Sequence, residues 1–246
     1  MEKGPSIFSP GSLPWLRHWI RPKHDARALE AALDEVFGER LLGQSTTRLV
    51  IPAFDAQRGD IQLFKTAHSA AYKQDRHLRA ATVAVSSAAA PTYFSAHTTP
   101  SGGCYLDGGV WANCPALVGI LEALCILGVP RERLRVLSIG TTSEPYFVKR
   151  SQRDGGKASW GKDAVPLLMQ AQLMATLGEC RLLLGDRFKR IDRAVPPGLF
   201  AMDNPRTLGD LRALGEQAAR SNETMVATEF LYAPAAEFVP SGDAKR

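Results

Sequence analysis

Cys104-Tyr105-Leu106-Asp107-Gly108-Gly109-Val110-Trp111-Ala112-Asn113-Cys114-Pro115 constrains this chain more than any other stretch. A short apolar run ends in a carboxylate, two glycines follow, and Pro115 opens a strongly hydrophobic helix candidate that runs to Gly128. The order predicts a short strand from Tyr105 to Asp107, a sharp turn and a helix. Glycine accepts positive φ and lets neighbouring backbone approach, so Asp107 can stand on the turn with its carboxylate aimed into a cleft. Loops between strand and helix are where open α/β sheets place their chemistry. Asp-Gly is equally a hairpin signal, and a plain surface turn is the competing reading.

The flanking sequence extends the pattern. Asp25 is placed to cap a helix from Ala26 to Phe37 that Gly38 stops. Thr47 to Phe54 and Ile61 to Thr66 read as an antiparallel hairpin with Gly59 in its loop. Arg79 to Ala90 is a helix of small residues that can lie close to a neighbour. Arg135 to Thr141 follows a helix and reads as a parallel strand. Glu144 to Gly161 is expected to be a mobile polar loop, Asp163 to Gly185 a long amphipathic helix, and Phe188 to Val195 a strand. Leu208 to Leu231 is a last helix with a charged outer face, and Pro234 to Arg246 a frayed tail. Helices alternating with strands predict an α/β fold with a largely parallel sheet. The four or five strand candidates are fewer than a large domain of that kind carries. No repeat or linker is visible, so one domain is expected.

Composition narrows the function classes. A hydrophobic share of 45% and a charged share of 22% exclude bulk disorder. No apolar run is long enough to span a bilayer and the N-terminus lacks a signal-peptide core, so a soluble cytoplasmic chain is expected. The net charge of +5 suits an anionic membrane surface or nucleic acid and decides neither. No nucleic-acid motif is present, and no nucleic-acid partner is expected. From Leu13 to His24, tryptophans and leucines interleave with Arg17, Arg21 and Lys23. That segment can rest peripherally on a membrane or pack over a core with its cationic heads in water. Cys104, Cys114, Cys125 and Cys180 form no Cys-x-x-Cys pair and read as buried, reduced thiols. His68, His77 and His97 lack metal-ligand spacing and read as surface or capping residues, so neither metal nor cofactor is expected.

Three stretches together resemble the patatin-like phospholipase family. Ala84-Val85-Ser86-Ser87-Ala88-Ala89-Ala90-Pro91-Thr92-Tyr93-Phe94 is similar to its Ala-Thr-Ser-Ala-Ala-Pro-x-x-Phe helix end. Leu106 to Pro115 resembles its Asp-Gly-Gly/Ala block with Asn-x-Pro, which brings in Gly108, Gly109 and Asn113 as turn support. Val136-Leu137-Ser138-Ile139-Gly140-Thr141 is similar to its next strand. The resemblance implies a three-layer α/β sandwich and a Ser-Asp dyad. In that dyad a serine within Gly-x-Ser-x-Gly attacks an ester carbonyl and the aspartate, here Asp107, takes its proton. It also implies a glycine-rich oxyanion loop and a lipid or phospholipid acyl ester as substrate. The sequence contains no Gly-x-Ser-x-Gly and no such loop. Cys114 is a poor substitute nucleophile, because a nearby carboxylate raises a thiol pKa, and Ser86 and Ser87 lie on a helix without an elbow.

The expectation is therefore a partial, N-terminally incomplete patatin-like domain over residues 1–231 and a polar tail over 232–246. It carries Asp107, with the nucleophile on a missing N-terminal segment or a partner chain, and is inactive alone. A degenerate domain that binds lipid or a partner protein without turnover is the alternative.

Overall fold

In the computed structural model, which describes residues 4–8, 21–161, 163–201 and 203–241, the chain divides into two units. The first is Met1–Ala112 with Ala235–Arg246, and the second is Asn113–Pro234. The Trp15 and Trp19 stretch lies outside the described residues.

The first unit is built on strands β1 (Val50–Asp55), β2 (Asp60–Lys65), β3 (His97–Thr98) and β4 (Cys104–Asp107). Their order is β2-β1-β4-β3 and every pairing is antiparallel. The hairpin between β1 and β2 turns on Asp55, whose Oδ1 accepts from Gln57 N and Arg58 N at 3.0 Å each, and on Gly59 at φ 68°. Helix α1 (Ala26–Phe37) begins where Asp25 accepts from Arg27 N and ends at Gly38, φ 56°. Helix α2 (Ala80–Ala88) packs against β1, β4 and α1, as its small residues permit. Leu42, Ala53, Phe64 and Val83 form the buried core, and truncating a phenylalanine such as Phe64 there costs about 3–5 kcal/mol.

Parallel pairing occurs in the second unit, between β5 (Val136–Ile139) and β6 (Phe188–Ile191), in register from Val136 opposite Phe188 to Ile139 opposite Ile191. The α/β class holds. The expectation of a largely parallel sheet gives way, because the β1–β2 and β3–β4 connections are too short for anything but an antiparallel return. The segment joining β5 to β6 contains the helix Ala164–Leu184, long enough to cross over.

The helix expected from Pro115 to Gly128 splits. Helix α3 (Ala116–Leu121) passes into a π-helical turn over Glu122–Ile126, closed by Leu127 N to Glu122 O at 3.1 Å. Helix α4 (Ala164–Leu184) buries Leu177, Cys180 and Leu184 against Cys114, Ile120 and Phe188. It is not cleanly amphipathic. Val165, Leu168, Met174 and Leu182 are exposed around it. Helix α5 (Leu208–Glu229) follows.

Two expectations of disorder give way among the described residues, which end at Ser241. The loop from Glu144 to Gly161 holds helical turns at Arg150–Arg153 and Lys157–Trp160. In the tail, Phe238 is buried under the Arg48 guanidinium, 5.1 Å from the ring centre, and Ser241 N donates to Ala67 O. An apolar side chain with a cover does not fray.

Candidate active site

Asp107 ends β4 opposite Ala53 of β1. Its own N–H donates to Ala89 O at 3.0 Å, and Gly108 N donates to Ser87 O at 3.3 Å, so the end of α2 holds the turn from below. The chain then enters a helical turn, Gly109–Ala112, rather than a hairpin. Gly109 N donates to Asp107 Oδ1 at 2.6 Å, which leaves Oδ2 without a partner among the described residues. The carboxylate is half-buried. Burial pushes its pKa above the usual carboxylate range, and the Gly109 N–H opposes that shift. Chemically this is a positioned carboxyl with one oxygen held and its basicity raised.

Gly108 is needed for closeness rather than for φ. A Cβ there would lie 2.2 Å from Pro52 O and 2.6 Å from the Pro52 carbonyl carbon, and neither Gly108 nor Gly109 adopts positive φ. Pro52 O also accepts from Ser87 Oγ at 2.7 Å. Trp111 Nε1 donates to Ala53 O at 2.8 Å and ties the far side of the turn to β1.

The other sequence candidates separate from Asp107 by role. Ser86 is fully buried and its Oγ donates to Thr82 O at 2.8 Å, so both serines bond backbone and neither is a poised nucleophile. His68 is buried against Thr66, with Nδ1 and Oγ1 3.0 Å apart, instead of lying at the surface. His97 meets Glu30 at 3.3 Å.

Asn113, grouped with the turn on sequence, is exposed and belongs to the second unit. There it lines a small pocket of about 270 Å³ with Ser138, Gly140, Thr141 and Arg190. Arg190 Nη1 donates to Ser138 Oγ at 2.8 Å and lies 4.0 Å from the buried Cys114 Sγ. Its Nη2 meets Asp192 Oδ2 at 2.7 Å. A Cβ on Gly140 would fall 2.3 Å from Asp192 Cγ, so that glycine makes room for the ion pair. Leu137, Ile139, Leu211, Leu214, Val226 and Leu231 line a larger apolar cleft of about 960 Å³ beside β5, β6 and α5. No helix among the described residues is long and apolar enough to cross a membrane.

A family model described as patatin-like phospholipase matches residues 4–120, a span that contains α2, β4 and the Asp107 turn. Over that span the chain is similar to the patatin-like phospholipases. It is 32% identical over 200 residues to a cGAMP-activated phospholipase of Pseudomonas aeruginosa, covering 80% of this chain and 60% of that protein. To the cGAMP-activated phospholipase of Vibrio cholerae it is 26% identical over 242 residues, covering 88% and 68%. To patatin-like protein 4 of Arabidopsis thaliana it is 30% identical over 183 residues, covering 65% and 45%. The aligned part is thus about two thirds or less of each of these relatives.

Several residues that shape these sites escaped the sequence reading. Arg190 and Asp192 were signalled only as charges in the strand Phe188-Lys189-Arg190-Ile191-Asp192, a pattern that also fits an exposed face. Pro52, whose carbonyl sets the position of Gly108, carries no sequence signal at all for that role.

Proposed function

We propose that this chain supplies the proton-accepting half of a lipid acyl hydrolase. Asp107 pairs with a serine on polypeptide outside these 246 residues. That serine Oγ attacks the ester carbonyl carbon while its proton passes to Asp107 Oδ2. The tetrahedral intermediate then expels the alcohol, which takes the proton from Asp107, and a water repeats the cycle to release the fatty acid. The observation that carries the reading is the Asp107 carboxylate itself. One oxygen is anchored by Gly109 N, the other is unengaged among the described residues, and burial strengthens it as a base. The family match over residues 4–120, and relatives named as phospholipases, support a phospholipid or other acyl ester lipid as substrate.

The test is complementation. Alone, the chain is expected to leave a short-chain acyl ester intact. Joined to or co-expressed with a segment bearing Gly-x-Ser-x-Gly, it is expected to hydrolyse that ester, and Asp107→Asn is expected to reduce the rate by at least about 10³-fold. Turnover by the chain alone that Asp107→Asn abolishes would overturn the account of the serine. A complemented chain indifferent to Asp107→Asn would overturn the dyad and leave a lipid-binding or partner-binding domain.

A further inference from the structure

Phe147 is 76% exposed and stands beside Val148, which is also exposed. Large apolar side chains at a free surface are costly unless something covers them, and a mobile loop could fold them away. This loop cannot, because one side chain locks it. Gln152 is 1% exposed, and its Oε1 accepts from Tyr146 Oη and Lys149 N at 2.9 Å each. Its Nε2 donates to Asp163 Oδ2 at 2.8 Å and to Ser159 O at 3.3 Å. Tyr146 N is bonded in turn to Gln170 Oε1 of α4. Phe147 and Val148 lie between Tyr146 and Lys149, two of the points so held, and are thereby presented outward.

The charge around them has one sign. From Phe147 to Lys157 the sequence places Lys149, Arg150, Arg153 and Lys157 against the single acid Asp154, a large share of the net charge of +5 of the whole chain. Arg150, Arg153 and Lys157 are exposed and make no ion pair among the described residues, whereas Lys149 is paired with Asp163 at 3.0 Å. On the first turns of α4, tethered to this loop through Asp163 and Gln170, Val165 and Leu168 form a second exposed apolar pair spaced i, i+3.

We propose that the loop from Phe147 to Lys157 is a docking element for an anionic lipid surface. Its cations would lie at the headgroups and Phe147 and Val148 would enter the interface. Charge alone would suit any polyanion. The fixed aromatic and aliphatic side chains among the cations match a surface that is apolar beneath and negative on top. The inference extends the proposed hydrolase reading, on which it rests for the nature of the surface, and names where the substrate layer meets the chain.

Flotation of the whole chain on vesicles of ether-linked phosphatidylcholine, with and without phosphatidylserine, tests it. The lipids cannot be hydrolysed, so binding is read separately from catalysis. Wild type is expected to float only with the anionic vesicles and to be released by salt. Phe147→Ala is expected to lower the partition coefficient on the order of tenfold. The combined Arg150→Ala, Arg153→Ala and Lys157→Ala variant is expected to lower it on the order of a hundredfold. Far-ultraviolet circular dichroism checks that these surface variants keep the wild-type fold. Equal binding to neutral and anionic vesicles, or variants that bind as wild type does, would overturn the proposal. Sensitivity to the charge variant but not to Phe147→Ala, with competition by duplex DNA, would also overturn it in favour of a general polyanion surface. Vesicle binding without ester hydrolysis in the complementation assay would overturn the hydrolase reading alone. Hydrolysis of a soluble ester without vesicle binding would overturn this proposal alone.

Discussion

Asp107 stands at a place that disfavours charge. Its pKa is raised by burial, so the folded state holds a proton more tightly there than the unfolded chain does. The associated stability is complete below the ordinary carboxyl value of 3.8 and is lost as pH rises through the folded-state value. Asp107→Asn is accordingly expected to raise the thermal midpoint at pH 7 while abolishing the proposed proton transfer. The gain should vanish in melts run below pH 3.8. Gly108→Ala should act in the opposite direction, because its Cβ has backbone and not a flexible side chain to displace. A loss of about 2–3 kcal/mol in urea denaturation is expected. The thiols separate by the same physics. Burial pushes the Cys180 pKa up to about 11, whereas Cys125 is exposed. Iodoacetamide at pH 8 should label Cys125 in the native state and reach Cys180 only on unfolding, as peptide mapping would show.

At the scale of elements, local chemistry was legible and partner choice was not. Asp25 and Gly38 bracketed α1 from sequence because capping is decided within one turn of chain. Asp107 was legible too, since an acid before two glycines between an apolar run and a proline-headed helix is a local pattern. Strand direction depends on which strands meet, and β1 meets β4 across about fifty residues that carry no pairing signal. The Glu144 to Gly161 segment misled for a related reason. Its polarity reads as solvent-loving, yet Gln152 turns inward and satisfies four groups at once. Gln152→Ala would strand those groups, at about 1–3 kcal/mol. Hydrogen exchange should then speed up between residues 146 and 163 while amides of β5 and β6 keep their protection. Uniform loss across the second unit would refute a local role for that glutamine.

Across the whole molecule, apolar surface is left open in the second unit. Leu182 is 88% exposed and Ile139 70%, and the cleft of about 960 Å³ is lined largely by apolar side chains. Surfaces of this kind are ordinarily covered. The isolated chain is therefore expected to bind a hydrophobic dye in its native state and to self-associate at micromolar concentration, read by light scattering. A cooperative, monomeric, dye-silent melt would contradict this. The contact beneath Gly108 has a wider consequence. Residues 52, 87 and 108 sit far apart along the chain but are keyed to one another at a single carbonyl oxygen. A variant at Pro52 or Ser87 can therefore tilt the carboxylate without touching it. Inactivating changes in a random library should surface at those two positions, where no chemist choosing reactive groups would look.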